Sequence, residues 1–137
     1  MRDREFCNLS EVVVRSNDTE ESLMEKVRLA TILGTFQSTL TNFKYVSSIW
    51  RKNCEEERLL GVSLTGIMDS RITNGKSNKD LVKLLEALKK QSIEVNKEFA
   101  KELGINQSAA VTCVKPSGTV SQLVDAASGI HARHNPY

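Results

Sequence analysis

The hydrophobic pattern changes period several times along the chain. Residues 9–14 end in Val12-Val13-Val14, a β-branched run apolar on both faces, and predict a short buried parallel strand. Ser16-Asn17-Asp18-Thr19 breaks it, and Asp18 with Glu21 fits a helix N-cap and its capping-box partner. Leu23, Val27, Ala30 and Thr31 then recur at helical spacing. Phe36, Leu40 and Phe43 extend the stripe past Gly34, although Thr35, Thr39 and Thr41 weaken helix propensity there. Residues 45–50 belong to the same helical region, and the charged residues 53–58 read as a solvated stretch.

Residues 59–68 form a short apolar run with embedded Gly61 and Gly66, which suits a buried strand that another backbone approaches closely. Residues 73–77 read as a loop. The strongest helical signal covers residues 78–103, with Leu81, Leu84, Leu85, Leu88, Ser92, Val95 and Phe99 on one face and Gly104 as its stop. Residues 109–114 predict a third strand, 115–119 a tight turn, and 120–127 a helix. Such alternation predicts an α/β fold with a parallel sheet and crossover helices. Three parallel strands leave unpaired edges, so this reads as part of a larger sheet, with residues 1–137 forming one partial domain.

Composition narrows the functional classes. There are 19 Lys and Arg against 17 Asp and Glu, a net charge of +2, too small to argue for a nucleic-acid partner. No apolar run approaches the ~18–20 residues of a membrane span, and the first residues lack the apolar stretch of a signal peptide. Cys7, Cys54 and Cys113 are widely spaced, an odd count that fits a reducing cytoplasm.

Three features carry candidate chemistry. Pro116-Ser117-Gly118-Thr119-Val120-Ser121 joins a predicted strand to a predicted helix. A helix start presents about four unpaired N–H groups and can hold a phosphate. The same turn also reads as a plain connection capped by Ser117 or Thr119, because it is neither a P-loop nor a Gly-x-Gly-x-x-Gly pattern. Cys7 lies at the mouth of a strand; it is either a small buried hydrophobe or a redox thiol that needs a partner. Cys54 and Cys113 read as structural or incidental. His131 and His134 are three apart, but no third metal ligand is evident, and Glu11 and Asp69 suit capping or solvated roles better than catalysis.

Four segments in order, residues 6–12 (Phe-Cys-Asn-Leu-Ser-Glu-Val), 60–69 (Leu-Gly-Val-Ser-Leu-Thr-Gly-Ile-Met-Asp), 114–121 (Val-Lys-Pro-Ser-Gly-Thr-Val-Ser) and 128–137, together resemble the large catalytic chain of ribonucleotide reductase. The wording is closest to the adenosylcobalamin-dependent class II type, and the resemblance spans nearly the whole chain. It implies part of a ten-stranded α/β barrel built from two five-stranded half-barrels, here much of the second half-barrel just after the finger loop. It implies that Cys7 is one of two thiols that reduce the ribose and end as a disulfide, its partner cysteine lying outside this chain. It implies that Pro116, Ser117, Gly118, Thr119 and Val120 bind the substrate's phosphates through backbone N–H groups.

The resemblance also says what should lie elsewhere: the finger-loop Asn-Pro-Cys-x-Glu with its radical cysteine, the second redox cysteine, and most of the cobalamin platform. The implied partners are a ribonucleoside di- or triphosphate, complementary reductase chains, and a thiol reductant such as thioredoxin. The expectation is one piece of a split reductase, inactive alone. The other reading is a truncated remnant, or a module that binds nucleotide phosphates or associates with a reductase.

Overall fold

A computed structural model describes residues 1–76 and 80–133. The chain runs β1 (Asn8–Val13), α1 (Glu20–Gln37), α2 (Ser48–Glu57), β2 (Leu60–Thr65), a 3-10 turn (Ile67–Asp69), α3 (Leu81–Leu103) and α4 (Thr119–Leu123). β1 and β2 pair in parallel, Asn8 opposite Leu60 and Val13 opposite Thr65. The crossover between them contains α1, which packs on both strands and on α3. Val12, Val14, Leu23, Val27, Ala30, Leu60, Val62, Leu84, Leu88 and Val111 form the core. That core lies on one face of the sheet, between the strands and the two long helices.

The helix starts where expected but is capped one residue later. Thr19 and Ser22 form the capping box: the Ser22 N–H donates to the Thr19 hydroxyl at 3.2 Å, and the Thr19 N–H donates to the Ser22 hydroxyl at 3.0 Å. Asp18 instead accepts from the Arg15 N–H (2.7 Å), the Ser22 hydroxyl (2.7 Å) and Lys26 (2.6 Å). Burial works against its charge, but these donors hold its carboxyl below the usual range. The threonines inside α1 are satisfied along the helix: Thr31 donates to the Val27 carbonyl and Thr35 to the Thr31 carbonyl. The helix does not reach Leu40 or Phe43. Hydroxyls of Ser38 and Thr39 turn back onto the carbonyls of Thr35 and Phe36, each at 2.7 Å, and close the C-terminus at Gln37.

Residues 53–57, read as solvated, are at least partly exposed except for Cys54. They form the second half of α2, with Cys54 buried and Arg58 ending the helix at a left-handed φ of 47°. The third predicted strand is reduced to one bridge, Val62 to Thr112, running parallel to β2. The Leu60 and Val62 N–H groups donate to the carbonyls of the consecutive residues Ala110 and Val111. Two residues of β2 thus face one residue of this segment, and no regular ladder can form. α3 ends at Gly104, whose φ of 65° no β-carbon favours; the start predicted at residues 78 and 79 lies outside the described residues. α4 covers five residues rather than the expected 120–127, because Val124 and Asp125 turn away from it, Asp125 with a φ of 47°. Among the described residues no helix is long and apolar enough to cross a membrane.

Candidate functional site

The site begins with the sheet face turned away from α1 and α3. Side chains alternate along a strand, so Leu9 and Glu11 of β1 and their partners Gly61 and Ser63 of β2 face away from the core. Gly61 leaves a gap in that face. A β-carbon there would lie 2.5 Å from Leu9 Cδ2, 3.0 Å from Cys113 Sγ and 3.3 Å from Cys7 Sγ. The glycine therefore admits two sulfur atoms from the segments on either side of β2. Both thiols are free and half-buried.

An aromatic cluster holds the segment leading into Cys7. The Phe6 ring stacks on Trp50 at 4.6 Å and meets Phe43 edge-on at 5.1 Å. The Phe6 N–H donates to Cys54 Sγ at 3.3 Å, and the Asn8 N–H donates to the Leu59 carbonyl at 2.8 Å. Cys54 is thus a buried packing and acceptor group. Cys7 lines a hollow of about 310 Å³ together with Phe6, Thr41 and Cys54. Burial pushes the Cys7 thiol up, and Cys113 and Glu5 push it further. Burial also raises Cys113, with Lys115 opposing and Glu11 adding to the rise. Both shifts favour the protonated thiol over the thiolate.

The predicted phosphate turn lies past Cys113, at the carboxyl end of the parallel strands, the edge where open α/β sheets place ligands. A clasp fixes it. The Thr65 hydroxyl donates to the Ala127 carbonyl at 3.0 Å, the Gly129 N–H donates to Thr65 Oγ1 at 2.9 Å, and the Ser128 hydroxyl donates to the Ser117 carbonyl. Gly129 has a φ of 54°, and a β-carbon on it would come within 2.9 Å of the Lys115 carbonyl. Inside the turn, Ser117 is buried and its hydroxyl accepts from the Ser121 N–H at 3.0 Å. The Ser117 side chain is therefore spent on the turn itself. Pro116, Gly118, Thr119 and Val120 are exposed, and a β-carbon on Gly118 would meet nothing within 4 Å. With only five residues in α4, a ligand here would rely on individual N–H groups more than on a helix dipole.

The remaining candidates separate from this site. Asp69 belongs to the clasp: Oδ2 accepts from the Ala127 N–H at 2.8 Å, and Oδ1 accepts from Arg133 Nε at 3.0 Å. Burial alone would raise its carboxyl, but Arg133 and the Ala127 N–H hold it below the usual range. Glu11 faces the thiols, and its Oε1 is buried with no hydrogen-bond partner among the described residues. His131 Nδ1 lies 3.1 Å from the Ser128 carbonyl, and His134 lies outside the described residues. Sequence reasoning missed the nearness of Cys113 to Cys7. The only available signal was Gly61, an absent side chain in a strand that a neighbour must fill or approach.

Comparison with known proteins fits this arrangement. The chain is 31% identical to the adenosylcobalamin-dependent ribonucleoside-triphosphate reductase of Lactobacillus acidophilus, matched over 97% of its own length and 21% of the relative's. It is 27% identical to the protein of the same name from Lactobacillus leichmannii, with the same coverage. Its fold superposes on a crystal structure of a B12-dependent class II ribonucleotide reductase with a TM-score of 0.74 and 28% identity, over 96% of this chain and 21% of that one. No protein-family model matches. The chain spans about a fifth of the length of these relatives. Nearly all of it follows their sequence and their backbone, and it belongs to the ribonucleotide reductase family, resembling one stretch of the class II catalytic chain.

Proposed function

We propose that this chain is one section of a ribonucleotide reductase barrel, working with complementary chain that carries the radical cysteine and the second redox thiol. The observation that carries the proposal is the open sheet face. It holds a half-buried Cys7 thiol beside Gly61, with a clasped turn at the carboxyl end of the same strands. In this reading Cys7 and a cysteine outside the chain supply two electrons and two protons as the ribose 2′-hydroxyl leaves as water. The two thiols become a disulfide, which an external dithiol such as thioredoxin returns to the reduced state. The raised Cys7 keeps its proton until that step.

The substrate is a ribonucleotide, a triphosphate if it follows the named activity of the relatives. Its phosphates would meet the N–H groups of the exposed residues Gly118, Thr119 and Val120, with Pro116 and the buried Ser117 shaping the turn. Adenosylcobalamin would supply the radical in the complete enzyme. Among the described residues none is identified as part of its cradle. Among the described residues, the buried polar atoms without partners, such as Ser10 Oγ, Arg58 Nε, Ser70 Oγ and Gln91 Oε1, belong to separate elements. No step of this chain's own chemistry is therefore routed through the cofactor.

The test is complementation. Mixing the chain with chains covering the rest of a class II reductase should restore conversion of a ribonucleoside triphosphate to its deoxy form. Cys7→Ser should abolish multiple turnover in that mixture. A restored rate that is indifferent to Cys7→Ser would remove the redox role.

A further inference from the structure

A second feature of the open face is the pairing of Cys7 with Cys113. We propose that these two thiols form a dithiol site within this chain, in which Cys113 resolves a disulfide formed at Cys7. Both sulfurs lie within 3.3 Å of the one point where Gly61 lacks a β-carbon. The flexible end of Leu9 is the other group at that point. Both thiols are half-buried and free. The alternative partner, Cys54, is buried and its sulfur already accepts the Phe6 N–H. Cys113 is held to β2 by one backbone hydrogen bond, its N–H to the Val62 carbonyl, at the single bridge that stands where a regular ladder would be. That leaves the segment room for the small approach a sulfur–sulfur bond requires.

The chemistry balances with a small-molecule disulfide, such as glutathione disulfide, as oxidant. The Cys7 thiolate attacks one of its sulfurs, forming a mixed disulfide and releasing one glutathione thiolate. The Cys113 thiolate then attacks the Cys7 sulfur, forming the Cys7–Cys113 bond and releasing the second glutathione thiolate. Two protein thiols are oxidised, one small disulfide is reduced, and two protons pass to the departing thiolates. Such a bond would withhold Cys7 from any other partner until a dithiol reduced it. The pairing rests on geometry alone, so it can stand or fall independently of the reductase reading.

The experiment is treatment of the 137-residue chain with glutathione disulfide at mildly alkaline pH, followed by non-reducing peptide mapping. The expected product is a linked Cys7–Cys113 peptide with no retained glutathione, reversed by a dithiol. Cys54→Ser should leave that product unchanged. Cys113→Ser should abolish it and leave glutathione attached to Cys7. Cys7 and Cys113 are the most distant pair in sequence, so an unfolded chain would favour the shorter loops through Cys54. The same map in urea supplies that reference. Links through Cys54 in the native chain, separate glutathione adducts on Cys7 and Cys113, or no reaction at either would each overturn the proposal.

Discussion

The two faces of the sheet differ by one step along each strand. Leu60, Val62 and Leu64 point toward α1 and α3, and with Val12 they join the packed layer that holds the fold together. Leu9, Glu11, Gly61 and Ser63 point the other way, where two thiols gather with a carboxylate oxygen that has no partner among the described residues, away from α1 and α3. Leu60 is 2% exposed, and Leu9, opposite its neighbour Gly61, is 42% exposed. One alternating backbone thus separates stability from chemistry. The covered face is built from interchangeable apolar volume. The open face is built from particular atoms at particular heights on the strands.

The widest gap between the faces should appear on truncating one leucine on each. Leu60→Ala removes buried volume from a layer that cannot collapse freely, and about 2–5 kcal/mol of stability should be lost. Leu9→Ala removes a half-exposed side chain and should cost less than about 1 kcal/mol. Urea denaturation of the two variants measures both. Equal losses would mean that the open face is packed in solution, by a second copy or by chain not described here.

The covered face was the legible one. Valines and leucines at strand and helix spacing are a direct record of what must leave water, so β1, α1, β2, α3 and the stop at Gly104 could be read from pattern alone. The errors fall where hydroxyls and backbone geometry decide. Thr19 caps α1 although Asp18 is the stronger-looking candidate, because Asp18 is already committed to Arg15 and Lys26. Serine and threonine end α1 at Gln37 although the apolar stripe runs on. The third strand fails on a one-residue mismatch that no side-chain pattern encodes. At the candidate site, Cys7 and the 116–120 turn were visible through resemblance. The approach of Cys113 was not, because it depends on how three separate segments align around Gly61.

A polar residue pins the covered face, and breaking that pin gives the next effect in size. Asn96 is fully buried on α3, and its Nδ2 donates to Thr35 Oγ1 at 3.0 Å and to Ser108 Oγ at 2.9 Å. Its Oδ1 accepts the Ser108 N–H at 2.9 Å. One amide thus ties α1, α3 and the segment leading toward Cys113. Asn96→Ala would strand the buried Ser108 N–H and cost about 1–3 kcal/mol. The loss should also loosen the 109–114 segment beside the thiols. Amide hydrogen exchange at Cys113, whose N–H donates to the Val62 carbonyl, should therefore accelerate along with the drop in melting temperature. A drop without faster exchange there would show that the two faces are mechanically independent.

The smallest effect concerns the clasp at the edge of the open face. Asp69 joins the Ala127 N–H to Arg133, and Arg133 also reaches Asp125 Oδ1 at 2.7 Å. The native carboxyl of Asp69 is depressed, so its contribution is complete above the unfolded value of ~3.9 and disappears as pH falls through the native value. Asp69→Asn keeps an oxygen for the Ala127 N–H and removes the charge together with the oxygen that accepts from Arg133 Nε. The variant should be less stable than the parent by roughly 0.5–1 kcal/mol near neutral pH, a figure reduced by the exposure of Arg133. That gap should narrow as pH falls below ~4, where the parent's own carboxyl protonates. Thermal melts of both proteins across pH 3–7 read it directly. A gap that stayed constant with pH would assign the clasp to shape rather than charge, making the edge of the open face a packing feature like the face behind it.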